Sequence, residues 1–96
     1  MPERQRVVAI IGGGISGLAA AFRILELSAQ PGAPPLAITL LERGTHLGGT
    51  LDTIRDAGLI AEAGADSFLT EKPAALALVR RLGLESDLIP TRAEFR

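Results

Sequence analysis

A chain of 96 residues allows one small domain at most. Apolar residues make up 47%, enough for a core, while a formal net charge of −1 with no basic block leaves a nucleic-acid surface without electrostatic support. Cysteine is absent, which excludes disulfides, thiolate chemistry and cysteine-based zinc sites, and the one histidine, His46, cannot make a metal site by itself.

The first predicted element is Val7-Val8-Ala9-Ile10-Ile11, a continuous apolar run rich in β-branched residues. It does not alternate, which fits a strand buried on both faces, as in a parallel sheet. Arg4 and Arg6 before it give a superficial likeness to a secretory signal. The run is only five residues long, Glu3 lies in the leading segment and glycines end it, so it reads as a strand. A cytoplasmic location follows as the default, and no apolar run reaches membrane-spanning length.

After Gly12-Gly13-Gly14, the residues Ile15, Leu18, Ala19, Phe22 and Leu25 recur at helical spacing, with Arg23 and Glu26 on the opposite side. The helix is expected from about Ser16 to about Ser28. Pro31-Gly32-Ala33-Pro34-Pro35 cannot continue it. Leu36 to Leu41 is a second apolar strand, closed by Glu42. Leu51–Ile54 and Leu59–Ala61 are short extended segments around the turn signal Asp56-Ala57-Gly58, so a hairpin is expected. A second helix is expected over Pro73 to Leu82, with Thr70 or Ser67 as its cap and Gly83 as its left-handed stop, from which Leu84 packs back on Val79. Pro90 to Arg96 form no recognisable closing element. The fold class is α/β: the βαβ part of a Rossmann-like domain with an incomplete sheet, since such sheets normally hold more than two parallel strands.

Gly12-x-Gly14-x-x-Gly17 follows a strand and opens a helix, the context a dinucleotide fingerprint requires. Gly12 permits the tight turn, Gly14 lets a pyrophosphate approach the backbone, and Gly17 lets the helix pack close to the strand. Ile15 and Ser16 stand at the helix start, where unpaired N–H groups and the helix dipole favour phosphate. The competing reading is a glycine-rich turn that holds nothing. Glu42 lies somewhat beyond the roughly 20-residue offset usual for the acid that binds the adenosine ribose, the proline-rich loop accounting for the extra length. Its carboxylate would repel a 2′-phosphate, which argues against NADP; alternatively it is a solvated strand-end charge. Gly48-Gly49, six residues on, offers bare N–H groups where an extended cofactor would pass. In isolation such a pair is an ordinary turn. Its place just after the ribose acid points to FAD.

Three stretches, "VVAIIGGGISGLAAAFRI", "LLERGTHLGGTLDT" and "AEAGADSFLTEKPAALALVRRLGLESDLI", resemble the opening of bacterial protoporphyrinogen and coproporphyrinogen oxidases, within the FAD-dependent amine oxidase and phytoene desaturase superfamily. The likeness runs from Val7 to about Pro90. The first two motifs are superfamily-wide; the third, with Gly64-Ala65-Asp66-Ser67-Phe68, Lys72-Pro73 and Leu82-Gly83-Leu84, is more specific to porphyrinogen oxidases. The resemblance implies that Gly12, Gly14 and Gly17 form the pyrophosphate turn and that Glu42 binds the ribose, with Arg43 covering the adenosine side. It implies further that Gly48 and Gly49 line the cofactor, and that Gly64, Ala65 and Asp66 run beside the flavin end. Relatives commonly carry Arg or Lys after the doublet; here Thr50 brings a hydroxyl and no charge, and Asp52 stands where many relatives are basic or neutral. Asp66, Ser67 and Thr70 are equally ordinary turn and capping residues, and Arg80-Arg81 reads as a solvated helix face.

The implied parent activity is oxygen-dependent oxidation of a porphyrinogen to the porphyrin, with peroxide formed, in haem synthesis. The implied partners are the porphyrinogen, oxygen and, in some relatives, a membrane face. No residue here is a credible acid, base or nucleophile for that step. The substrate domain and the returning segment that completes the flavin site are expected to lie outside residues 1–96, so these residues alone are expected to be inactive and to bind FAD weakly at best. The alternatives are a segment of another superfamily flavoenzyme, of amine oxidase or phytoene desaturase type, and a non-enzymatic truncated nucleotide-binding module.

Overall fold

The computed structural model describes residues 4–95. They form two compact units, divided between Asp66 and Ser67.

In the first unit, strand β1 (Arg6–Ile11) leads through the glycine turn into helix α1 (Ile15–Ser28), which returns to strand β2 (Leu36–Leu41). β1 and β2 pair in parallel, from Arg6 opposite Leu36 to Ile11 opposite Leu41. The helix stops where the sequence predicts. Ala29 N–H closes the last turn on the Leu25 carbonyl at 3.1 Å, and Ala33 N–H bonds back to the Gln30 carbonyl at 3.1 Å. Between them Pro31 and Gly32 (φ +82°) occupy the two central places of a turn that favours proline first and a left-handed glycine second.

Antiparallel strands β3 (Thr53–Asp56) and β4 (Leu59–Glu62) make the expected hairpin, shifted toward its turn. Ala57 (φ +49°) and Gly58 (φ +80°) form a two-residue turn in which both residues are left-handed. Pairing runs from Asp56 opposite Leu59 to Thr53 opposite Glu62, and the Ala63 N–H donates to the Asp52 carbonyl at 2.8 Å just beyond it, while Leu51 falls outside. Thr53 Oγ1 donates to the Glu62 carboxylate at 2.9 Å across the hairpin.

The first strand departs from expectation. Val8 and Ile10 are half-buried, but Val7 and Ile11 are 71% and 78% exposed. Ile10 faces α1, where its Cγ2 lies 3.3 Å from the place a Cβ on Gly17 would take. Alternation then turns Val7, Ala9 and Ile11 to the opposite, open face. The apolar run asks for cover on two faces, and only one is covered. Among the described residues no hydrophobic side chain is buried.

In the second unit, helix α2 (Pro73–Arg81) is followed by short 3-10 turns at Glu85–Asp87 and Ala93–Phe95. The expected cap is corrected: Lys72 holds the N-cap position in extended backbone, without a side-chain cap bond. Pro73, fixed in φ and lacking an N–H, takes the first helical position, which leaves Thr70 and Ser67 too far upstream to cap. The C-terminus is as predicted. Gly83 (φ +73°) donates to the Arg80 carbonyl and Leu84 to the Val79 carbonyl, both at 3.0 Å, the paired bonds of a left-handed glycine stop. Arg80 Nε also meets Glu85 Oε1 at 3.1 Å on the exposed surface, which fits a solvated face.

Candidate functional site

The glycine turn after β1 is built almost wholly from backbone. Gly12 N–H donates to the Leu41 carbonyl at 2.7 Å, and its φ of +104° is a conformation that side chains rarely adopt. Gly17 has a different reason: a Cβ there would overlap the Gly12 carbonyl oxygen and sit 3.2 Å from its carbon. Gly14 has neither reason. Its φ is −77°, and a Cβ on it would meet only the Gly49 Cα, at an ordinary 3.9 Å.

Gly14 is the N-cap of α1 and offers no side-chain cap, and the first turn holds no acidic residue. The N–H groups of Ile15, Ser16 and Gly17 precede the first intrahelical bond, Leu18 N–H to the Gly14 carbonyl at 3.0 Å. They and the dipole behind them are free to meet an anion. A hollow of about 310 Å³ opens there, lined by Ile11, Gly12, Gly14, Ile15, Ser16, Gly17, Gly48 and Thr50. Its side-chain polar groups are the Ser16 and Thr50 hydroxyls, with no charged group among the lining. Another hollow, of about 340 Å³, follows the hairpin turn over residues 55–60. It gathers no comparable set of backbone donors and carries no argument for chemistry.

The doublet answers to the same turn. Gly48 N–H donates to the Gly13 carbonyl at 2.7 Å, and Gly14 and Gly48 pair as an isolated parallel bridge. Gly48 (φ +109°) and Gly49 (φ +62°) are both left-handed. A Cβ on Gly49 would stand 3.2 Å from the Gly14 Cα. The two glycine clusters therefore form one side-chain-free seam. Gly64 extends it: a Cβ there would overlap the Thr50 carbonyl oxygen, so only glycine lets that backbone lie against the arm that carries the doublet.

Glu42 closes the turn from the side. Its Oε1 accepts the Gly13 N–H at 2.9 Å and its Oε2 the Gly44 N–H at 2.5 Å. These bonds hold its carboxyl below the usual value, Gly44 contributing most, then Gly13, with the His46 charge adding and desolvation opposing. Gly13 itself is buried.

Of the residues expected to form the site, Gly12, Gly14, Ile15, Ser16, Gly17, Gly48 and Thr50 line one hollow, and Gly49 touches its rim at Gly14. Glu42 reaches its framework through its carboxylate on the Gly13 N–H, and Gly64 through the close approach of its backbone to Thr50. Arg43, Ala65 and Asp66 are exposed and line neither of these hollows. Sequence reasoning passed over Gly13, the variable place in the fingerprint, and Leu47, whose Cδ2 lies 2.6 Å from where a Gly13 Cβ would be. Three consecutive glycines, where the fingerprint needs only the outer two, were the available signal. Among the described residues no group of acidic or histidine side chains could hold a metal ion, and no helix is long and apolar enough to cross a membrane.

A strand, a glycine turn at a helix N-terminus and an acid closing the second strand define a dinucleotide-binding βαβ unit. The chain belongs to the NAD(P)-binding Rossmann-like domain family, whose sequence model matches residues 10–82. It is 45% identical over 89 residues to the coproporphyrinogen III oxidase of Bacillus subtilis (strain 168), covering 93% of this chain and 19% of that protein. It is 38% identical over 96 residues to the human protoporphyrinogen oxidase, covering 93% of this chain and 18% of the relative. Among solved structures it superposes on a protein described as a protoporphyrinogen oxidase from Exiguobacterium sp. 255-15, with a TM-score of 0.72 and 39% identity, over 88% of this chain and 18% of that one. A putrescine oxidase bound to putrescine gives a TM-score of 0.68 and 32% identity, over 85% of this chain and 17% of that one. The chain thus spans less than a fifth of the length of these relatives, and the segment they share is the βαβ unit, the hairpin and the helix that follows.

Proposed function

We propose that this chain is the FAD-binding segment of an oxygen-dependent porphyrinogen oxidase. The observation that carries the reading is the convergence of Gly48-Gly49 on Gly12-Gly13-Gly14. A shorter nucleotide has no use for a second bare arm beyond the helix N-terminus, whereas FAD must continue past it. In this reading Ile15, Ser16 and Gly17 present N–H groups to the pyrophosphate and Gly14 leaves it room. Glu42 takes the adenosine ribose, with Arg43 beside it. Gly48, Gly49 and Thr50 border the cofactor's path, and Gly64, Ala65 and Asp66 lead toward the flavin end. The chemistry FAD supplies when bound is acceptance of a hydride equivalent from the macrocycle. The residues of this chain hold and orient; none serves as acid or base. The residues that grip the porphyrinogen and complete the flavin end are assigned outside positions 1–96, in a cytoplasmic protein.

The superposition on a putrescine oxidase favours one other reading, a segment of an amine oxidase. The test is to detect the native product in the source cell with an antibody to this segment, then assay that protein with coproporphyrinogen III, protoporphyrinogen IX and putrescine. A product several times larger than 10.0 kDa that forms porphyrin and peroxide supports the reading. Oxidation of the amine alone moves it to the second. A stable product at 10.0 kDa without oxidase activity overturns both.

A further inference from the structure

Glu42 has two backbone partners within the protein itself. Its Oε1 takes the N–H of buried Gly13, and its Oε2 takes the N–H of Gly44 at the start of the next loop. Gly13 sits between the two glycines that frame the hollow, and its carbonyl receives the Gly48 N–H at 2.7 Å. One carboxylate thus ties the end of β2 to the turn after β1, and that turn holds the doublet. An ionised carboxylate has about four lone-pair sites, two on each oxygen. The two protein bonds use one site on each, so one on each remains for a ribose hydroxyl.

We propose that Glu42 is a positioning residue as well as a ligand: it builds the pyrophosphate turn by holding Gly13 through a hydrogen bond of the protein's own. This rests on the dinucleotide reading above and adds a consequence that reading lacks. If Glu42 only bound ribose, its loss would not matter to a ligand without ribose hydroxyls. If it preforms the turn, its loss weakens such a ligand too, because the turn must then be ordered at the expense of binding. Hydrogen bonds to a charged group are strong enough that breaking the Gly13 tie should cost about tenfold in affinity.

The experiment uses the protein at its native length with ADP and with 2′,3′-dideoxy-ADP as probes. Glu42→Ala is expected to bind the dideoxy probe about tenfold more weakly than the unmodified protein. Glu42→Gln, which keeps one oxygen able to accept from Gly13, is expected to recover most of that loss. A Glu42→Ala protein that loses affinity for ADP and none for dideoxy-ADP overturns the proposal. A second readout needs no ligand and separates this proposal from the function above. In the unmodified protein the Gly13 and Gly44 amide resonances should move with pH at one shared midpoint, and in Glu42→Gln they should not move. His46, the other titratable group acting on this carboxylate, is controlled for by His46→Gln. A Gly13 amide indifferent to pH overturns the proposal. Failure of the unmodified protein to bind ADP overturns the dinucleotide reading and leaves the amide result to decide this one.

Discussion

Gly14→Ala should separate what the fold needs from what a nucleotide needs. Gly14 has negative φ, and an added Cβ would meet only the Gly49 Cα at 3.9 Å. Alanine caps a helix less well than glycine, at a cost of about 0.5–1 kcal/mol. Replacing glycine by alanine at a compatible backbone stiffens the unfolded chain and returns about 0.4–1 kcal/mol. The two nearly cancel, so the melting temperature should move by less than about 3 °C. Binding is another matter if the proposed reading holds, because the methyl group would then intrude on the space assigned to the pyrophosphate. Losing two hydrogen bonds to a charged group, at about 1.5 kcal/mol or more each, lowers affinity on the order of a hundredfold. Gly17→Ala is the control: its Cβ would overlap the Gly12 carbonyl oxygen, and such overpacking costs about 1–3 kcal/mol or more. The assay is thermal melting and titration with FAD, both on the native-length protein. Unchanged affinity in Gly14→Ala, or a fall in melting temperature matching that of Gly17→Ala, would refute the reasoning.

The carboxyl of Glu42 is held below its ordinary value of 4.5, so it contributes stability in full above that value and loses it as pH falls through the lower, folded one. Melting curves of unmodified protein and Glu42→Gln should therefore converge as pH drops below 4.5, and curves that stay parallel down to pH 3 would contradict the two backbone bonds. At the hairpin, Ala57 occupies a left-handed conformation at φ +49° beside Gly58. Ala57→Asn supplies a residue that tolerates it and should stabilise the hairpin by about 1 kcal/mol, read as slower amide exchange in Thr53–Asp56 and Leu59–Glu62; unchanged exchange would count against the turn.

Much of this architecture is legible in the sequence, because each element carries its own local reason. Val7 to Ile11 and Leu36 to Leu41 are apolar runs closed by polar or bare residues. Ile15 through Leu25 repeat at helical spacing, and Gly83 stands where a helix must stop. What was not legible depends on competition or on partners. Ser67 and Thr70 have the right chemistry for a cap, but Pro73 claims the first helical position and so sets the cap at Lys72. The hairpin register follows from both turn residues being left-handed, which a dipeptide containing alanine does not announce. The bond from Gly13 to Glu42 has no sequence signature at all, since its donor is a backbone N–H that every residue but proline carries. The apolar run in β1 states what that strand needs, and its 71% exposed Val7 records that this need is not met by α1.

The glycines of the seam sort by physical cause. Gly17 and Gly64 are demanded by backbone passing against backbone, and Gly12, Gly48 and Gly49 by left-handed conformation. Gly13 is crowded by side chains, with Leu47 Cδ2 2.6 Å from the place its Cβ would take, whereas Gly14 has no such neighbour, which fits the proposed approach of a ligand to the helix N-terminus. The other glycines keep that approach in shape without help from a core. Gly13 is held by the Glu42 carboxylate and Gly48 by the Gly13 carbonyl, and the Gly64 backbone lies close against Thr50, so segments distant in sequence meet through main-chain atoms and one carboxylate. A cradle fixed in this way needs no buried side chain at the cradle itself. The same economy leaves Val7, Ile11 and Leu41 on an open apolar face, where each Å² of apolar surface taken out of water would add about 25 cal/mol of stability to the strands that carry the seam.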